Sequence, residues 1–382
     1  MGFFYGFYFS LPAQLLKADT WDYFAQSKIE TNWLLENPKA FIADLFNNHY
    51  QSTGNLFTGS YSFWNDLKAT FFIKTLAVLN IFTNKNYYIS ILFFNLGFMF
   101  GGVAFFKLFN EHFKINKWLL IWAVFFIPTF LFWGSGIHKD GIVFSATAIS
   151  IYLLNSILVK GVSFQRIALL VFCLALIFIL RNYYLLAIIP AFCSWVLTYK
   201  YSINPKLVFP IMIFFCLSIF IFSNTFYLTK DISKSVVAKH NEFLILEGNT
   251  KFETPNLENT TSSIVSYFPF AMQAATARPF ISNVKSKAEM FIVIENYFIL
   301  ALAFFALIFI FYKKRIFLNS PIIWSCITIG FFLLLFIGYT VCFEGAIVRY
   351  RSITLPFLIV PCLIILFGKL KPINKEKLIS DN

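Results

Sequence analysis

Apolar segments long enough to cross a bilayer recur along this whole chain and leave it little choice of fold. A helix needs about 20 apolar residues to span the hydrocarbon layer. Runs near that length lie at about 2–16, 87–107, 118–134, 141–159, 164–181, 183–199, 207–227, 291–312, 321–342 and 350–368. Inside hydrocarbon every backbone amide must find its partner within the segment, so such runs fold as helices. The sequence predicts an all-α polytopic membrane protein with about ten transmembrane helices. Composition agrees: charged residues make up 13% of the chain, about half their share in an ordinary soluble domain (roughly 25%). The six cysteines lie in or beside apolar runs without CxxC spacing, which argues against a disulfide framework and a zinc site. The N-terminus has no basic region and no small-residue cleavage site, so the first helix is expected to be retained.

The stretch from Ser62 to Phe82 is apolar but interrupted by Asp66, Lys68 and Lys74. Its Trp64, Leu67, Phe71, Leu76 and Leu79 share a helical face, which predicts a helix lying in the interface rather than crossing it. With that choice, the connections at 107–117, 160–166, 200–206 and 313–320 and the C-terminal tail fall on one side. They hold Lys107, Lys114, Lys117, Lys160, Arg166, Lys200, Lys206, Lys313, Lys314, Arg315, Lys369, Lys371, Lys375 and Lys377, against only Glu111, Glu376 and Asp381. Basic residues concentrate in cytoplasmic loops, so both termini are expected in the cytoplasm. The net charge of +13 is then mainly a topology signal, and no nucleic-acid partner is inferred from it. The expected organisation is a single membrane domain over 1–382. It carries an external loop at 17–86 with the interfacial helix, a second external loop at 228–290 and a basic cytoplasmic tail at 369–382. The second loop reads either as a lid over a membrane site or as a disordered connector. Within it Asn259-Thr260-Thr261 matches a glycosylation sequon, a pattern common by chance. There is no internal repeat of the kind secondary transporters commonly carry.

Three groups of charge sit where apolar runs end, and the topology puts all of them outside. Charge beside hydrocarbon is costly, so its clustering at one face suggests a site. Asp19-Thr20-Trp21-Asp22-Tyr23 follows the first run. A carboxylate there is suited to take a proton from a sugar hydroxyl, and Asp19 with Asp22 also reads as a capping box at a helix start. Phe132–Gly141 is a short turn whose small residues let a ligand approach. In it His138 and Lys139 are candidates to hold a phosphate, Asp140 reads as a cap for the next helix, and Lys139 also reads as a snorkelling interfacial residue. Arg181 occupies the next outer turn and fits the same description. Glu344 and Arg349-Tyr350-Arg351 open the last run. Two arginines one residue apart diverge on a helix, and Arg351 is the one expected to face the core and bind phosphate.

Together these pieces resemble the GT-C class of integral-membrane glycosyltransferases. The resemblance rests on the acidic loop Ala18–Tyr23 after the first run, on Arg349-Tyr350-Arg351 leading to Leu355-Pro356, and on the Phe132–Gly141 turn. The sequence departs from better-known members in lacking an Asp-Glu pair after the first run and a C-terminal soluble domain. The resemblance implies a polyprenyl-phosphate-linked sugar as donor and a glycan or lipid acceptor, at the external face of a bacterial inner (cytoplasmic) membrane. It implies Asp19 as general base, with Asp22 in reserve, and inversion at the anomeric carbon. His138, Lys139, Arg181, Glu344, Arg349 and Arg351 would bind substrate. No cofactor is implied, and a requirement for a divalent metal is left open. The competing readings are a surface-polysaccharide polymerase or O-antigen ligase, favoured by the long loop at 228–290, and a lipid-glycan flippase. The flippase is disfavoured because the run centres are almost free of ionisable groups.

Overall fold

The computed structural model describes residues 1–11, 14, 19–48, 50, 53, 54, 56, 62–225, 231–284, 286–313 and 319–371. Among them the protein is a bundle of α-helices with one pair of two-residue strands. A short α1 (Gly2–Ser10) leads to α2 (Thr20–Glu36), α3 (Pro38–Ala43) and α4 (Phe63–Thr83). Then come α5 (Tyr87–His112), α6 (Lys117–Phe125), α7 (Pro128–Gly134), α8 (Lys139–Lys160), α9 (Phe164–Arg181), α10 (Tyr183–Tyr201) and α11 (Pro205–Phe222). The chain ends with α12 (Ile232–Ile245), α13 (Thr261–Ala277), α14 (Lys287–Lys313), α15 (Pro321–Thr340), α16 (Glu344–Ser352) and α17 (Leu355–Phe367).

Seven of these helices, α5, α8, α9, α10, α11, α14 and α15, are long and apolar enough to cross a bilayer on their own. Two more apolar runs are broken into bent pairs, α6 with α7 at 48° and α16 with α17 at 61°. The protein is therefore an all-α polytopic membrane protein. Its seven to nine spans compare with about ten apolar runs because α1 has nine residues and two runs are bent. At the α16–α17 break Pro356 lies in the first turn of α17, and Ile353 and Thr354 before it keep helical angles. At the α6–α7 break proline is the cause: Pro128 opens α7, where the missing N–H costs nothing but the preceding residue is driven out of the helical region. Ile127 is accordingly extended, at φ −67° and ψ 120°.

α8 and α15 form the enclosed centre. α8 lies between α5 and α9, and α15 lies against α10, α13 and α17. Its small residues let α8 be surrounded. Gly101 of α5 sits directly on the backbone of Ser145, where a Cβ would not fit, and Ser145 Oγ donates to the Phe98 carbonyl at 3.1 Å. At one end of the bundle, Phe113–Lys114 and Lys369–Leu370 pair antiparallel. The 107–117 connection and the start of the tail thus share one end; residues 372–382 of the expected basic tail, and Lys314 and Arg315, lie outside the described residues.

The segment before α5 is folded rather than loose. α4 packs chiefly on α2, and its buried face is Phe72, Ile73, Leu76, Ala77 and Asn80. Trp64, Leu67, Phe71 and Leu79, expected to share the apolar face, are only half-buried. The face is rotated because Lys74 turns inward. Its side chain is 3% exposed, with Nζ 2.8 Å from Glu30 and 3.2 Å from Asp44 and set over the rings of Trp33 and Phe41. The second long loop also contains helices, α12 and α13, both packed against α15. In it the Asn259 amide donates to Asp231 at 2.8 Å, and its carbonyl accepts from Ser233 at 2.6 Å. This sequon asparagine is thus engaged in holding the start of α12. Replacing Lys74 by alanine removes the buried cation that Glu30 and Asp44 share. The two carboxylates keep partial exposure, so the expected loss is about 3 kcal/mol, the low end for breaking a buried pair. Thermal unfolding in detergent, with faster proteolysis within residues 19–83, reads that loss.

Candidate functional site

The turn between α7 and α8 presents three adjacent ionisable residues, His138, Lys139 and Asp140. α7 stops at Gly134, and α8 starts at Lys139 with His138 as its N-cap. The reversal is tight enough that Gly141 lies on the Gly134 carbonyl, where any larger residue would collide. The start of α2 is fastened to the same turn. Thr20 Oγ1 donates to the Ile137 carbonyl at 3.2 Å and shares a hydrogen bond with the Tyr87 hydroxyl at 2.8 Å. Trp21 stacks on Tyr87 with ring centres 4.0 Å apart. These contacts fix Asp19, one residue earlier, above the turn.

At the centre is Asp140, whose side chain is fully buried. One carboxylate oxygen accepts from Nη2 of Arg181 at the end of α9; the other accepts from Nε of Arg349 on α16 at 2.9 Å. An unpaired carboxylate there would cost several kcal/mol, and two charge-assisted bonds offset that cost. Asp140 is thus a buried counter-ion rather than the helix cap expected from sequence. α8 has no side-chain cap at all, because the carboxylate is drawn across to the two guanidiniums.

Arg349 reaches further. Its Nη2 donates to His138 Nδ1 at 3.0 Å, and its Nη1 lies 3.8 Å from Asp19 Oδ2. A guanidinium has only donors, so His138 Nδ1 must be the acceptor and the ring proton sits on Nε2, facing the Tyr5 hydroxyl. Burial, reinforced by the Arg349 charge, holds His138 well below its ordinary 6.5, so the ring is neutral. Lys139 Nζ donates to the Tyr23 hydroxyl at 3.2 Å and sits 4.8 Å over that ring. Burial, and then the nearby Asp19 carboxylate, push the Tyr23 phenol up to about 12. Tyr350 lies beside both arginines, its ring 4.7 Å from the Arg181 guanidinium carbon and 6.0 Å from that of Arg349.

Of the residues singled out by sequence, Asp19, His138, Lys139, Arg181 and Arg349 converge. Asp19 occupies the N-cap position of α2 but makes no cap hydrogen bond; its carboxylate faces Arg349 and is 58% exposed. The capping-box reading fails for that reason. Asp22 is exposed on α2. Glu344 is bound elsewhere, to Arg278 at 2.9 Å and Asn283 at 2.7 Å. Arg351 is buried and faces the core as expected, and its Nη1 donates to the carbonyls of Ala275 and Thr276 at 2.9 Å each, capping the C-terminus of α13. Arg349 is the arginine in the cluster. Sequence reasoning missed Tyr5, Tyr23 and Tyr350 as partners. The one available signal was Asp140 itself, since a carboxylate at an apolar run implies a cation nearby.

The arrangement combines an exposed carboxylate, placed to take a proton, with guanidinium and ammonium groups placed to stabilise developing negative charge. Among the described residues no group of three or more His, Cys, Asp or Glu side chains converges as a metal site would require. Comparison with protein-family models, curated proteins and solved structures finds no match to this chain.

The neutral histidine has a measurable consequence. A folded-state value held below 6.5 means that, as pH falls below about 6.5, the unfolded chain takes up a proton that the folded chain refuses, so stability declines with acidification. The unfolding midpoint of wild-type protein is expected to drop below that pH, and His138→Gln to reduce the dependence in the same titration without removing it, because burial also holds His240 below 6.5.

Proposed function

We propose that this protein is an integral-membrane glycosyltransferase that moves a sugar from a polyprenyl-phosphate donor to a glycan or lipid acceptor of the cell envelope. The observation that carries this reading is the exposed Asp19 carboxylate, 3.8 Å from an arginine that is anchored on a buried aspartate. In this reading Asp19 removes the proton from the acceptor hydroxyl, and that oxygen attacks the anomeric carbon with inversion. The carbon–oxygen bond to the donor phosphate breaks, and the phosphate departs with the electron pair. Arg349 and Lys139 face the departing charge; Asp140 orients Arg349, and His138 and Tyr5 buttress it. Arg351 and Glu344 shape the scaffold, and Asp22 has no part in the reaction. The reaction takes place on the external face of a bacterial cytoplasmic membrane, with both chain termini inside.

A second reading, a surface-polysaccharide polymerase or ligase, draws support from α12. That helix of the late external segment lies against α15 and brings Lys239 close to Arg181. The two readings part in one experiment. Lipid-linked and surface glycans are compared by mass spectrometry in cells with wild-type protein, no protein or Asp19→Asn. A transferase predicts glycans short by one sugar in both mutants, at least about a hundredfold loss of turnover for loss of a general base and normal protein levels in the membrane. Accumulating single repeat units would mark a polymerase. Unchanged glycans in Asp19→Asn would overturn the assignment of Asp19.

A further inference from the structure

A cleft of about 180 Å³ opens beside the site, between α4, α12, the α9–α10 turn and the end of α15. Three cations line it: Lys68 from α4, Arg181 from the end of α9 and Lys239 from α12. None of the lining residues carries a carboxylate. Lys239 is 2.8 Å from Glu242, which stands outside the lining, and Asp140 already serves Arg181 and Arg349. Arg181 donates Nη2 to Asp140 and Nη1 to the Tyr183 hydroxyl at 3.0 Å. Hydroxyls of Thr340 and Tyr350 add polar groups, and Phe243 and Phe336 add an apolar wall.

We propose that this cleft seats a phosphate or diphosphate group of the acceptor, so that acceptor and donor are held on two sides of the shared Arg181 and Tyr350. Three cations converge on a lining that holds no carboxylate, Asp140 and Glu242 standing behind Arg181 and Lys239, and such a wall suits an oxyanion better than a neutral sugar. Burial lowers the Lys68 ammonium to about 8; the Lys239 and Arg181 charges add to that shift and the Glu242 carboxylate opposes it, and a bound anion would act in the same sense as Glu242. The apolar wall suits a lipid chain attached to the phosphate. Naming the ligand as the acceptor rests on the transferase reading; the anion site itself does not.

The test uses full-length protein in phosphatidylcholine nanodiscs, titrated with inorganic pyrophosphate by calorimetry. Wild type is expected to bind saturably. The double variant Lys68→Gln, Lys239→Gln should bind at least about tenfold more weakly, the scale of one or two lost charge-assisted hydrogen bonds. Lys68→Arg with Lys239→Arg should keep binding, and Asp19→Asn should match wild type. Thermal unfolding of each variant separates lost binding from lost fold. Adding phosphatidic acid, a lipid phosphate unrelated to the donor, to the nanodiscs distinguishes the source: displacement of pyrophosphate assigns the site to a lipid-borne phosphate, and its absence to a soluble phosphate-bearing ligand. Absence of saturable binding by wild type, or wild-type affinity in the folded double-glutamine variant, overturns the proposal. Should pyrophosphate bind as expected while Asp19→Asn leaves cellular glycans unchanged, the transferase reading fails and the anion site stands.

Discussion

A single carboxylate, that of Asp140, holds the ends of three helices at one point. Its two oxygens bind Arg181 from α9 and Arg349 from α16, and it stands itself in the first turn of α8. Each ion alone would be costly to place at the edge of the hydrocarbon, and together they are tolerable only in this geometry. That mutual dependence ties the closed end of α9 to the bent pair of α16 and α17. It also sets the position of everything around it. Arg349, fixed on Asp140, reaches His138 and faces Asp19, while Arg181 spans the distance from Asp140 to the basic cleft.

The helix breaks serve the same cluster. A straight helix in place of α16 and α17 would carry Arg349 and Arg351 along one rod through the apolar layer. The 61° bend instead leaves α16 as a separate short helix, with Arg349 against α7 and α8 and Arg351 against the end of α13. The bend of α6 and α7 likewise ends the run at Gly134 and turns the chain into His138. The N-terminus of α7 is held from another helix, since Glu295 of α14 accepts from the Thr129 amide at 3.0 Å and from its hydroxyl. Proline makes the α6–α7 break available and a carboxylate from a distant helix satisfies an amide it releases, whereas at α16–α17 the Thr354 and Phe357 amides are satisfied locally by the Arg351 and Thr354 carbonyls.

Much of this was legible residue by residue. Run lengths marked the spans, and the ends of the runs marked where charge would gather, so that Asp19, His138, Lys139, Arg181 and Arg349 were all singled out. The failures have a common origin. Asp140 reads as a cap in sequence because a local cap is what an acidic residue before an apolar run offers its own helix. The partners that claim it lie 41 and 209 residues away in sequence. Lys74 reads as an interruption of an apolar face for the same reason, since the carboxylates that meet it, Glu30 and Asp44, belong to other helical segments.

What the sequence determined by itself is the solvent and the secondary structure. Apolar runs of bilayer length must be helices, and charges must stand at their ends, because hydrocarbon satisfies neither backbone amides nor ions. Which charges meet was decided by tertiary structure alone. Arg349 and Arg351 are chemically alike and separated by one residue, yet one completes the cluster and the other caps α13. That choice depends on how α16 is rotated against α7, α13 and α15, a quantity set by long-range packing and not encoded in the spacing of the two arginines.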